Sequence, residues 1–496
     1  MNTFEKIFEY IFINQSEKII FYDKDKNRVE YDCESMKHEI LVVSNYIKNC
    51  NIKLKKGEWI RLVSEDNHAT FFVMFAMLKL GYNVLLAAPN YEDVEDIQEI
   101  QSSIYYHAQK ENMIDMLFSE SDDTWGEWIG FYSSGTMGFQ KKFVYHADTV
   151  LKLLSNVRSK IQNSDINEIL EKNDKFAGRS ILNTLPIYHV LGLFLPIVMT
   201  SFSCNIVYCN HTSIYDVIAV IQKEQILGAF GVPVFWELMR NIANRRHYAS
   251  TNPMRALLGN QFQMILSGGS KTKKELRTYY TELGIDFFVG YGMTEIGFLS
   301  VSDKNLEDIN SEGSMYPMYD YKVLNEKGEL SSTGEGELLV DTKGVYSYCF
   351  KDGKVHKLEL FKGKYFKTGD IFSLQGDKLY FKGRKKNIIV CSNGENIFVE
   401  DIENKLEMIH EMKFMYGIAE YNGMVSLYLS NANHEITQIG LEKMIAYVKN
   451  VNKTLYISSK IKKIILINEK IDVNAKGKLL TYKLNENSDM KVVDIL

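Results

Sequence analysis

Apolar runs of two kinds alternate through residues 34–298, and this alternation limits the fold more than any other feature of the sequence. "EWIRLVS" and "MILSGGS" have the short apolar composition of buried strands. "ESMKHEILVVSNYIKNC" has helical spacing, and "NHATFFVMFAMLKLG" predicts an apolar helix with Asn67 as its cap. Strands and helices in series predict parallel α/β layers with functional loops at the strand ends.

A different pattern begins near residue 313, where short β-type runs such as "GEGELLV" are separated by glycine turns. It continues to residue 384, and the remainder mixes a helical run, "VEDIENKLEMI", with a strand-like run, "KIILI". We therefore predict a large N-terminal α/β domain, 1–384, with a β subdomain at about 313–384. Residues 385–496 are predicted to form a small α+β domain.

Charge and cysteine usage exclude several classes of protein. The net charge is −5 and the lysines are dispersed, so no nucleic-acid partner is expected. The longest apolar stretch, "VLGLFLPIVMTSF", is too short to span a bilayer, and the acidic start "MNTFEKIFEY" does not resemble a signal peptide. Six cysteines lie far apart without metal-ligand spacing, which indicates reduced thiols in a cytoplasmic protein.

The segment "FYSSGTMGFQKKF" contains the residue types of a phosphate-binding loop. Glycines let backbone N–H groups approach an anion, the hydroxyls of Ser133, Ser134 and Thr136 add donors, and Lys141 adds positive charge. The segment does not match GxxxxGK[ST], so it is not a Walker loop. Taken alone, it could equally be an ordinary solvated turn.

Four further segments could complete a nucleotide site. In "GYGMTE", the ring of Tyr291 could stack on a base, Thr294 could bond a phosphate, and Glu295 could hold Mg²⁺. Asp370 in "KTGD" and Arg384 in "GRKKNIIV" would suit the paired hydroxyls of a ribose if they lie together, although a surface salt bridge is the simpler reading of each. The fourth segment, "NAKGKLL" near the end of the chain, could be no more than a solvated lysine stretch.

In their sequence and order, these segments resemble the adenylate-forming superfamily, which includes acyl- and aryl-CoA synthetases, peptide-synthetase adenylation domains and firefly-type luciferases. The family's phosphate loop is similar to YTSGTTGxPKG, which Tyr132 to Lys141 follows closely. "LPIYHVLGL", "GVP", "SGGS", "GEGELLV", "NGENI" and the final Gly-Lys also fall where the family has them. The resemblance covers nearly the whole chain and implies the family's layered α/β fold with a mobile C-terminal domain.

The resemblance implies a role for each matching residue. The β- and γ-phosphates of ATP would be held by Ser133, Ser134, Gly135, Thr136, Gly138 and Lys141. The adenine would be framed by Gly268, Gly269 and Tyr291, and the ribose held by Asp370 and Arg384. Thr294 would meet the α-phosphate, Glu295 would bind Mg²⁺, and Lys478 would bridge the attacking carboxylate and the α-phosphate. Lys386 would be the hinge and Gly394 would line the pantetheine passage, while His189 and Gly292 would belong to the acyl pocket.

The chain departs from the family within the phosphate loop, where Met137, Gln140 and Lys142 replace threonine, proline and glycine. These changes alter the hydroxyl count and the backbone freedom of the loop. A second open point is His189, which could be a gate beside the acyl group or a hydrogen-bonded core histidine.

The implied activity is an ATP-dependent ligase that adenylates a carboxylic acid, weakly favoured to be aryl or medium-chain acyl, and transfers the acyl group to CoA. One alternative is a stand-alone adenylation enzyme that loads the phosphopantetheine of a carrier protein. Another is a non-catalytic AMP-binding relative. The retained Lys478, Glu295, Asp370 and Arg384 argue against the last.

Overall fold

The computed structural model describes most of the chain. The described residues are 3–13, 18–23, 25–50, 55–89, 97–110, 124–133, 141–172, 179–209, 213–245, 253–304, 308–385, 388–390, 396–403, 405–406, 409, 415–422, 424–430, 436–455, 459–468, 479, 481 and 488–495. They form two compact units. The first unit comprises Met1–Tyr321, Val340–Phe366 and Gln375–Tyr380, and the second comprises Lys322–Leu339, Lys367–Leu374 and Phe381–Leu496.

The helices of the described residues, numbered in chain order, are α1 Phe4–Ile11, α2 Cys33–Asn49, α3 Asn67–Lys79, α4 Ile104–Lys110, α5 Ala147–Gln162, α6 Asp165–Lys172, α7 Val190–Thr200, α8 Ile214–Lys223, α9 Pro233–Arg245, α10 Pro253–Leu258, α11 Lys274–Glu282, α12 Val399–Glu403 and α13 Gln438–Asn452.

The strands, numbered in the same way, are β1 Ile19–Tyr22, β2 Arg28–Tyr31, β3 Trp59–Val63, β4 Asn83–Ala87, β5 Glu99–Gln101, β6 Trp128–Tyr132, β7 Lys142–His146, β8 Arg179–Asn183, β9 Cys204–Tyr208, β10 Gly228–Gly231, β11 Met264–Gly268, β12 Asp286–Met293, β13 Gly297–Val301, β14 Ser314–Met315, β15 Asp320–Leu324, β16 Leu330–Ser331, β17 Gly334–Asp341, β18 Tyr348–Lys351, β19 Lys354–His356, β20 Phe366–Gln375, β21 Lys378–Arg384, β22 Ile388–Val390, β23 Asn396–Phe398, β24 Tyr416–Tyr421, β25 Met424–Ser430, β26 Lys463–Ile467 and β27 Met490–Asp494.

Two largely parallel sheets carry the first unit. In one, neighbouring strands follow the order β14-β13-β12-β11-β10-β8-β9-β1-β2, and the pairs from β12 to β1 are parallel. In the other, the order is β19-β18-β7-β6-β4-β3-β5, with β6, β4, β3 and β5 parallel. Antiparallel strands complete both sheets. The predicted parallel α/β class is therefore confirmed, and the carboxyl ends of β10, β11 and β12 lie side by side.

Apolar helix faces bury the sheets as their sequences predict. The five α5 residues at helical spacing, Val150, Leu153, Leu154, Val157 and Ile161, are all buried. Along α3 every residue from Asn67 to Leu78 is buried, so this helix is an interior element. The stretch predicted to be core rather than membrane forms α7, buried at nearly every position. Among the described helices, none combines the length and hydropathy needed to cross a membrane.

Helix α3 begins differently from what the sequence suggests. Asn67 was the expected cap of α3, but Asp66 is the cap, and its side chain accepts a hydrogen bond from the Ala69 N–H. Asn67 is instead the first helical residue, and its side chain points to another part of the fold. The misassignment arose because Asp and Asn are both strong caps, and only the three-dimensional contact distinguishes the neighbours.

The second unit has its own core. Parts of β15, β16, β17, β20 and β21 belong to it, followed by the β22–β23 hairpin and a four-stranded sheet ordered β24-β25-β26-β27. Strands β25 and β26 are parallel, and the other two pairs are antiparallel. Helix α13 packs Leu441, Met444 and Val448 into the same apolar core as Leu427 and Ile464. This part mixes helix and strand as predicted.

Candidate active site

The two ends of the phosphate-loop segment are held together at the edge of the β6–β7 pair. These strands are antiparallel, with Tyr132 opposite Lys142, and the Ser133 N–H donates to the Lys141 carbonyl oxygen at 2.8 Å. The intervening candidates Ser134, Gly135, Thr136 and Gly138, together with Met137 and Gln140, lie outside the described residues. Ser133 and Lys141 thus mark where the segment leaves and rejoins the sheet.

Lys142, which stands where the family has glycine, is a paired strand residue with a buried side chain. It is 6% exposed, and its Nζ lies 6.0 Å from the ring centroid of Tyr132 and 5.7 Å from that of Phe350. Phe350 is opposite Lys142 on β18, so the three side chains share one face of the sheet. Buried cations over aromatic faces are stabilised electrostatically. The lysine side chain therefore packs against Tyr132 and Phe350 at the end of the phosphate-loop segment, a contact that glycine could not make.

Glycines stand at the carboxyl ends of β11 and β12. Gly268 on β11 is opposite Gly290 on β12, and a Cβ on Gly268 would lie 3.2 Å from the Gly290 carbonyl oxygen and 3.3 Å from Leu191 Cδ2. The next residue, Gly269, has φ +81°, a conformation that side chains disfavour. Backbone rather than side chains is therefore presented where the family places the adenine.

A bulge redirects the chain at the end of β12. The β12–β13 register shifts between Tyr291 and Gly292. A Cβ on Gly292 would lie 2.5 Å from the carbonyl oxygen of Gly297, so no other residue fits without displacing the backbone. Bulges of this kind re-aim neighbouring side chains. The half-buried Tyr291 and the exposed Gly292 occupy this irregular strand end.

Backbone bonds from distant residues fix the Thr294–Glu295 turn. The Tyr145 hydroxyl donates to the Thr294 carbonyl oxygen at 2.7 Å. The Ser347 N–H and hydroxyl both donate to the Glu295 carbonyl oxygen, at 2.9 Å and 2.7 Å. Burial, followed by the nearby charge of Glu295, raises the pKa of Tyr145 well above its usual value, so its phenol remains a donor. The turn is therefore positioned without using either side chain of the pair.

His189 begins α7 and is partly buried. Its N–H donates to the Pro186 carbonyl oxygen at 3.2 Å, and its ring centroid lies 4.7 Å from that of Tyr188. Burial lowers the pKa of its imidazole, which favours the neutral ring. A neutral aromatic at a helix start is compatible with both hypotheses for this residue, the acyl-site gate and the core histidine.

Asp370 and Arg384 lie together in the second unit. The Arg384 Nε is 3.1 Å from the Asp370 Oδ1, and the carboxylate side chain is 4% exposed while the guanidinium side chain is 49% exposed. The Asp370 N–H donates to the Thr368 hydroxyl at 3.1 Å, which helps to fix the strand around the acid. A buried carboxylate with an exposed basic partner is an arrangement that can accept bonds from vicinal hydroxyls. Three other candidates, Lys386, Gly394 and Lys478, lie outside the described residues.

Several residues that shape the site were not singled out by the sequence. Tyr145 and Ser347 contact the Thr294–Glu295 turn, and Asn67 and Asn183 contact the segment that leads to His189. All four bond main-chain atoms, and Tyr145, Ser347 and Asn67 do so on residues distant in the chain, whereas Asn183 bonds residues two and nine positions away. The available sequence signal was modest: Asn183 is a polar residue that ends an apolar strand.

Three kinds of comparison agree with this geometry. The family model described as "AMP-binding enzyme" matches residues 129–348. A 2-succinylbenzoate–CoA ligase of Oceanobacillus iheyensis is 26% identical over 365 residues, covering 72% of this chain and 68% of the relative. The long-chain-fatty-acid–CoA ligase FadD13 of Mycobacterium tuberculosis is 24% identical over 392 residues, covering 71% and 73%.

Solved structures share the fold over almost the full length. The o-succinylbenzoate CoA synthetase of Bacillus subtilis, in complex with the acyl-adenylate intermediate OSB-AMP, matches with a TM-score of 0.72 and 18% identity, covering 97% of this chain and 99% of that one. McyG A-PCP, complexed with phenylalanyl-adenylate, matches with a TM-score of 0.73 and 16% identity, covering 96% and 93%.

The chain therefore has the layered α/β fold of these two adenylate-bound structures, with glycines at the strand ends and an anchored Thr-Glu turn. The AMP-binding family model covers the part of the chain that contains these strand ends and the turn, and both curated relatives described above are CoA ligases.

Proposed function

We propose that this protein is an AMP-forming acid–thiol ligase, which activates a carboxylic acid with ATP and transfers the acyl group to the thiol of CoA. The observation that carries the proposal is the Thr294–Glu295 turn, anchored by Tyr145 and Ser347 beside glycine strand ends. The names of the curated relatives support CoA as the acceptor.

The first half-reaction joins two anions, and the proposed residues address that repulsion. A carboxylate oxygen attacks the α-phosphorus of ATP, the bond from that phosphorus to the bridging oxygen breaks, and pyrophosphate leaves. We assign Lys478 to the attacking carboxylate and the α-phosphate, Thr294 to the α-phosphate, and Lys141 to the leaving phosphates. Fixed cations and oriented donors at the developing charge lower the barrier without reorganisation. Ser133, Ser134, Gly135, Thr136 and Gly138 complete the proposed phosphate loop.

Mg²⁺ would be held by Glu295 together with phosphate oxygens and water, and it would neutralise charge on the phosphates. The residues fit this role, because a single carboxylate on a rigid turn is an ordinary protein contribution to a Mg²⁺ site. Among the described residues no group of three or more potential ligands forms a metal site by itself. Such an arrangement suits an ion that arrives with its nucleotide.

The remaining assignments follow the family resemblance. Gly268, Gly269 and Tyr291 are proposed to frame the adenine, with Asp370 and Arg384 on the ribose hydroxyls. His189 and Gly292 are proposed for the acyl pocket. In the second half-reaction the thiol attacks the acyl carbonyl and AMP leaves; we propose that residues 385–496 reorient at Lys386 and that Gly394 lines the thiol passage. The acid is proposed to be aryl or medium-chain acyl.

The carrier-protein alternative concerns the acceptor and leaves the first step unchanged. Fold likeness does not separate the two acceptors, because the match to the McyG A-PCP structure equals the match to the CoA synthetase. Five cysteines in the described part of the chain form no disulfide bond: Cys33, Cys50, Cys204, Cys209 and Cys349. This supports the proposal that the enzyme acts in the reducing cytoplasm.

A pyrophosphate-exchange panel across aryl, fatty and amino acids tests the first step and the substrate class together. We expect acid-dependent exchange, followed by a CoA thioester for the best acid. Adenylate without a thioester from free CoA would point to a carrier protein, and no exchange with any acid would favour a non-catalytic protein.

The Lys478→Ala variant sharpens the assignment. A charge-assisted hydrogen bond is worth about 1.5 to 3 kcal/mol, so this change should slow adenylation by more than about tenfold. Lys443→Ala provides the control, because Lys443 is an exposed lysine on α13 in the same part of the chain. Equal rates for both variants would remove Lys478 from the mechanism.

A further inference from the structure

Two buried asparagine side chains hold the segment between β8 and α7, which carries His189. The carbonyl oxygen of Leu185 accepts a hydrogen bond from each of them: from the Asn67 Nδ2 at 3.1 Å and from the Asn183 Nδ2 at 3.1 Å. Asn67 is 3% exposed and Asn183 is 0% exposed. Asn67 is in the first turn of α3 and Asn183 is the last residue of β8, so hydrogen bonds from two different elements hold the segment.

Each amide also makes a further bond, Asn67 within the segment and Asn183 to both Leu185 and the first turn of α7. The Asn67 Oδ1 accepts from the Ile187 N–H at 2.9 Å. The Asn183 Nδ2 also donates to the Gly192 carbonyl oxygen at 3.0 Å, and its Oδ1 accepts from the Leu185 N–H at 3.3 Å. Within the described residues, the main-chain groups of Leu185 and Ile187 that the two amides bond have no partner in a strand or helix. The asparagine side chains therefore supply hydrogen bonds that secondary structure supplies elsewhere.

The residue type is dictated by this pattern. Only an amide side chain presents a donor and an acceptor together at this length; a carboxylate offers acceptors alone, and an apolar isostere offers neither. Either replacement leaves buried main-chain groups unpaired, which costs more than the net value of the bonds lost.

The held segment leads into the proposed acyl site at its carboxyl-terminal end, where α7 begins. His189 follows Ile187 by two residues, and Leu191 Cδ2 lies where a Cβ of Gly268 would contact it. Gly192 packs so tightly that a Cβ there would overlap the carbonyl of Pro186. A small displacement of the segment would therefore shift His189 and Leu191 against Gly268 at the end of β11.

We propose that Asn67 and Asn183 are positioning residues for the carboxylic acid substrate, a role that rests on the acyl site of the proposed function. They set the wall formed by His189 and Leu191 rather than touching the reacting atoms. The acid should therefore be affected when they change, while ATP, held by other elements, should not.

The test replaces one amide nitrogen by oxygen, in Asn67→Asp and Asn183→Asp. In pyrophosphate exchange with the best acid of the panel, the KM for the acid should rise by about tenfold, the size expected for a lost buried bond, while the KM for ATP stays within about twofold. Asn67→Gln keeps both functional groups on a longer stem and should restore part of the loss. Parallel rises in both KM values, or no rise, would overturn the proposal.

Asn83→Asp is the matched control. Asn83 is also a buried bridging amide: its Nδ2 donates to the Gly57 carbonyl oxygen at 2.7 Å, and its Oδ1 accepts from the Trp128 N–H at 3.2 Å. It begins β4, at the opposite end of its strand from the carboxyl-terminal edge. Its replacement should lower the unfolding temperature as the others do, without changing the ratio of the two KM values.

Amide hydrogen exchange separates this inference from the proposed function. Asp keeps the oxygen that accepts from the Leu185 and Ile187 N–H groups, so this readout uses leucine, which removes it. The Leu185 N–H should exchange faster in Asn183→Leu, and the Ile187 N–H faster in Asn67→Leu, than in wild type, and both should stay slow in Asn83→Leu. This readout needs no turnover. If wild-type protein activates no acid but these amides respond, the proposed function fails while the hold on the segment stands; unchanged exchange in all variants would overturn the hold itself.

Discussion

The hydroxyl of Tyr145 on β7 donates a 2.7 Å hydrogen bond to the main-chain carbonyl of Thr294, 149 residues further along the chain. The tyrosine is fully buried, and the bond joins one sheet of the first unit to the turn that follows β12 in the other. The position of Thr294 and Glu295, the proposed ligands of the α-phosphate and Mg²⁺, thus depends on a phenol that bonds the main chain of their turn.

Removing this hydroxyl in Tyr145→Phe should reduce kcat by about tenfold and stability by about 1 to 2 kcal/mol, because a buried carbonyl loses its donor. Tyr280→Phe is the control: the Tyr280 hydroxyl donates to the Trp236 carbonyl oxygen at 2.8 Å and is equally buried. It should lose similar stability and keep its kcat. Steady-state kinetics with thermal unfolding decides, and equal loss of kcat in both variants would contradict the role of Tyr145.

The Asp370–Arg384 pair predicts a nucleotide-specific defect. Asp370→Asn keeps the size of the side chain but weakens its acceptance of ribose hydroxyls, so the KM for ATP should rise by about tenfold with the KM for the acid unchanged. Glu337→Gln breaks a neighbouring pair of the same design, in which the Lys385 Nζ lies 2.9 Å from a nearly buried carboxylate. A similar KM for ATP in the two variants would show that Asp370 is no more than an ion-pair partner.

His68 predicts loss of stability on acidification. Burial lowers the pKa of His68 from 6.5 to about 4, and its Nε2 lies 2.9 Å from the Tyr31 hydroxyl. The nearby charge of Asp23 acts in the opposite direction but is the smaller effect. Between pH 6.5 and 4 the unfolded chain takes up a proton that the folded chain refuses, so stability falls by about 3 kcal/mol as pH decreases.

Glutamine cannot take up this proton, so in His68→Gln the free energy of unfolding should depend less on pH between pH 7 and 4. His107→Gln, at an exposed position on α4, should keep the pH dependence of wild type. An unchanged slope in His68→Gln would show that another group causes the acid sensitivity.

Glu312 predicts the opposite pH dependence, a loss of stability as pH rises. Burial raises the pKa of Glu312 from 4.5 to about 7, against the smaller lowering effects of Arg277 and Lys271. Between pH 4.5 and 7 the folded chain keeps a proton that the unfolded chain releases, so this group reduces stability as pH rises, by about 3 kcal/mol in total.

Glu312→Gln mimics the protonated acid and should therefore be more stable than wild type at pH 8 but similar to it at pH 4. Glu275→Gln, exposed on α11, should show neither effect. Denaturant unfolding at the two pH values measures the difference, and a Glu312→Gln variant that is less stable at pH 8 would contradict the assignment.

The sequence predicts the elements well where the pattern is local. Strands β11 and β12, helix α5 and the meeting of Asp370 with Arg384 follow from periodicity and from motif order. Asn67 shows the limit: its neighbourhood reads as a helix cap, yet its amide bonds residues 118 and 120 positions away. No local pattern encodes such a contact, because it exists only once α3 and the β8–α7 segment have packed.

Lys142 shows a second limit. The family motif has glycine at this position, so the sequence comparison suggests only that the backbone of Lys142 has less conformational freedom. The structure adds a burial site between Tyr132 and Phe350, and Phe350 comes from a strand more than two hundred residues later. The consequence of a substitution is thus set by a neighbour that the motif does not contain.

The bond from Ser133 to Lys141 fixes the distance between the two points where the phosphate loop enters and leaves the sheet. The register of β6 with β7 is set by the pairs from Trp128–His146 to Tyr132–Lys142, none of which uses residues 134–140. Substitutions at Met137 or Gln140 are therefore expected to alter phosphate binding while the strand pairing on either side of them persists.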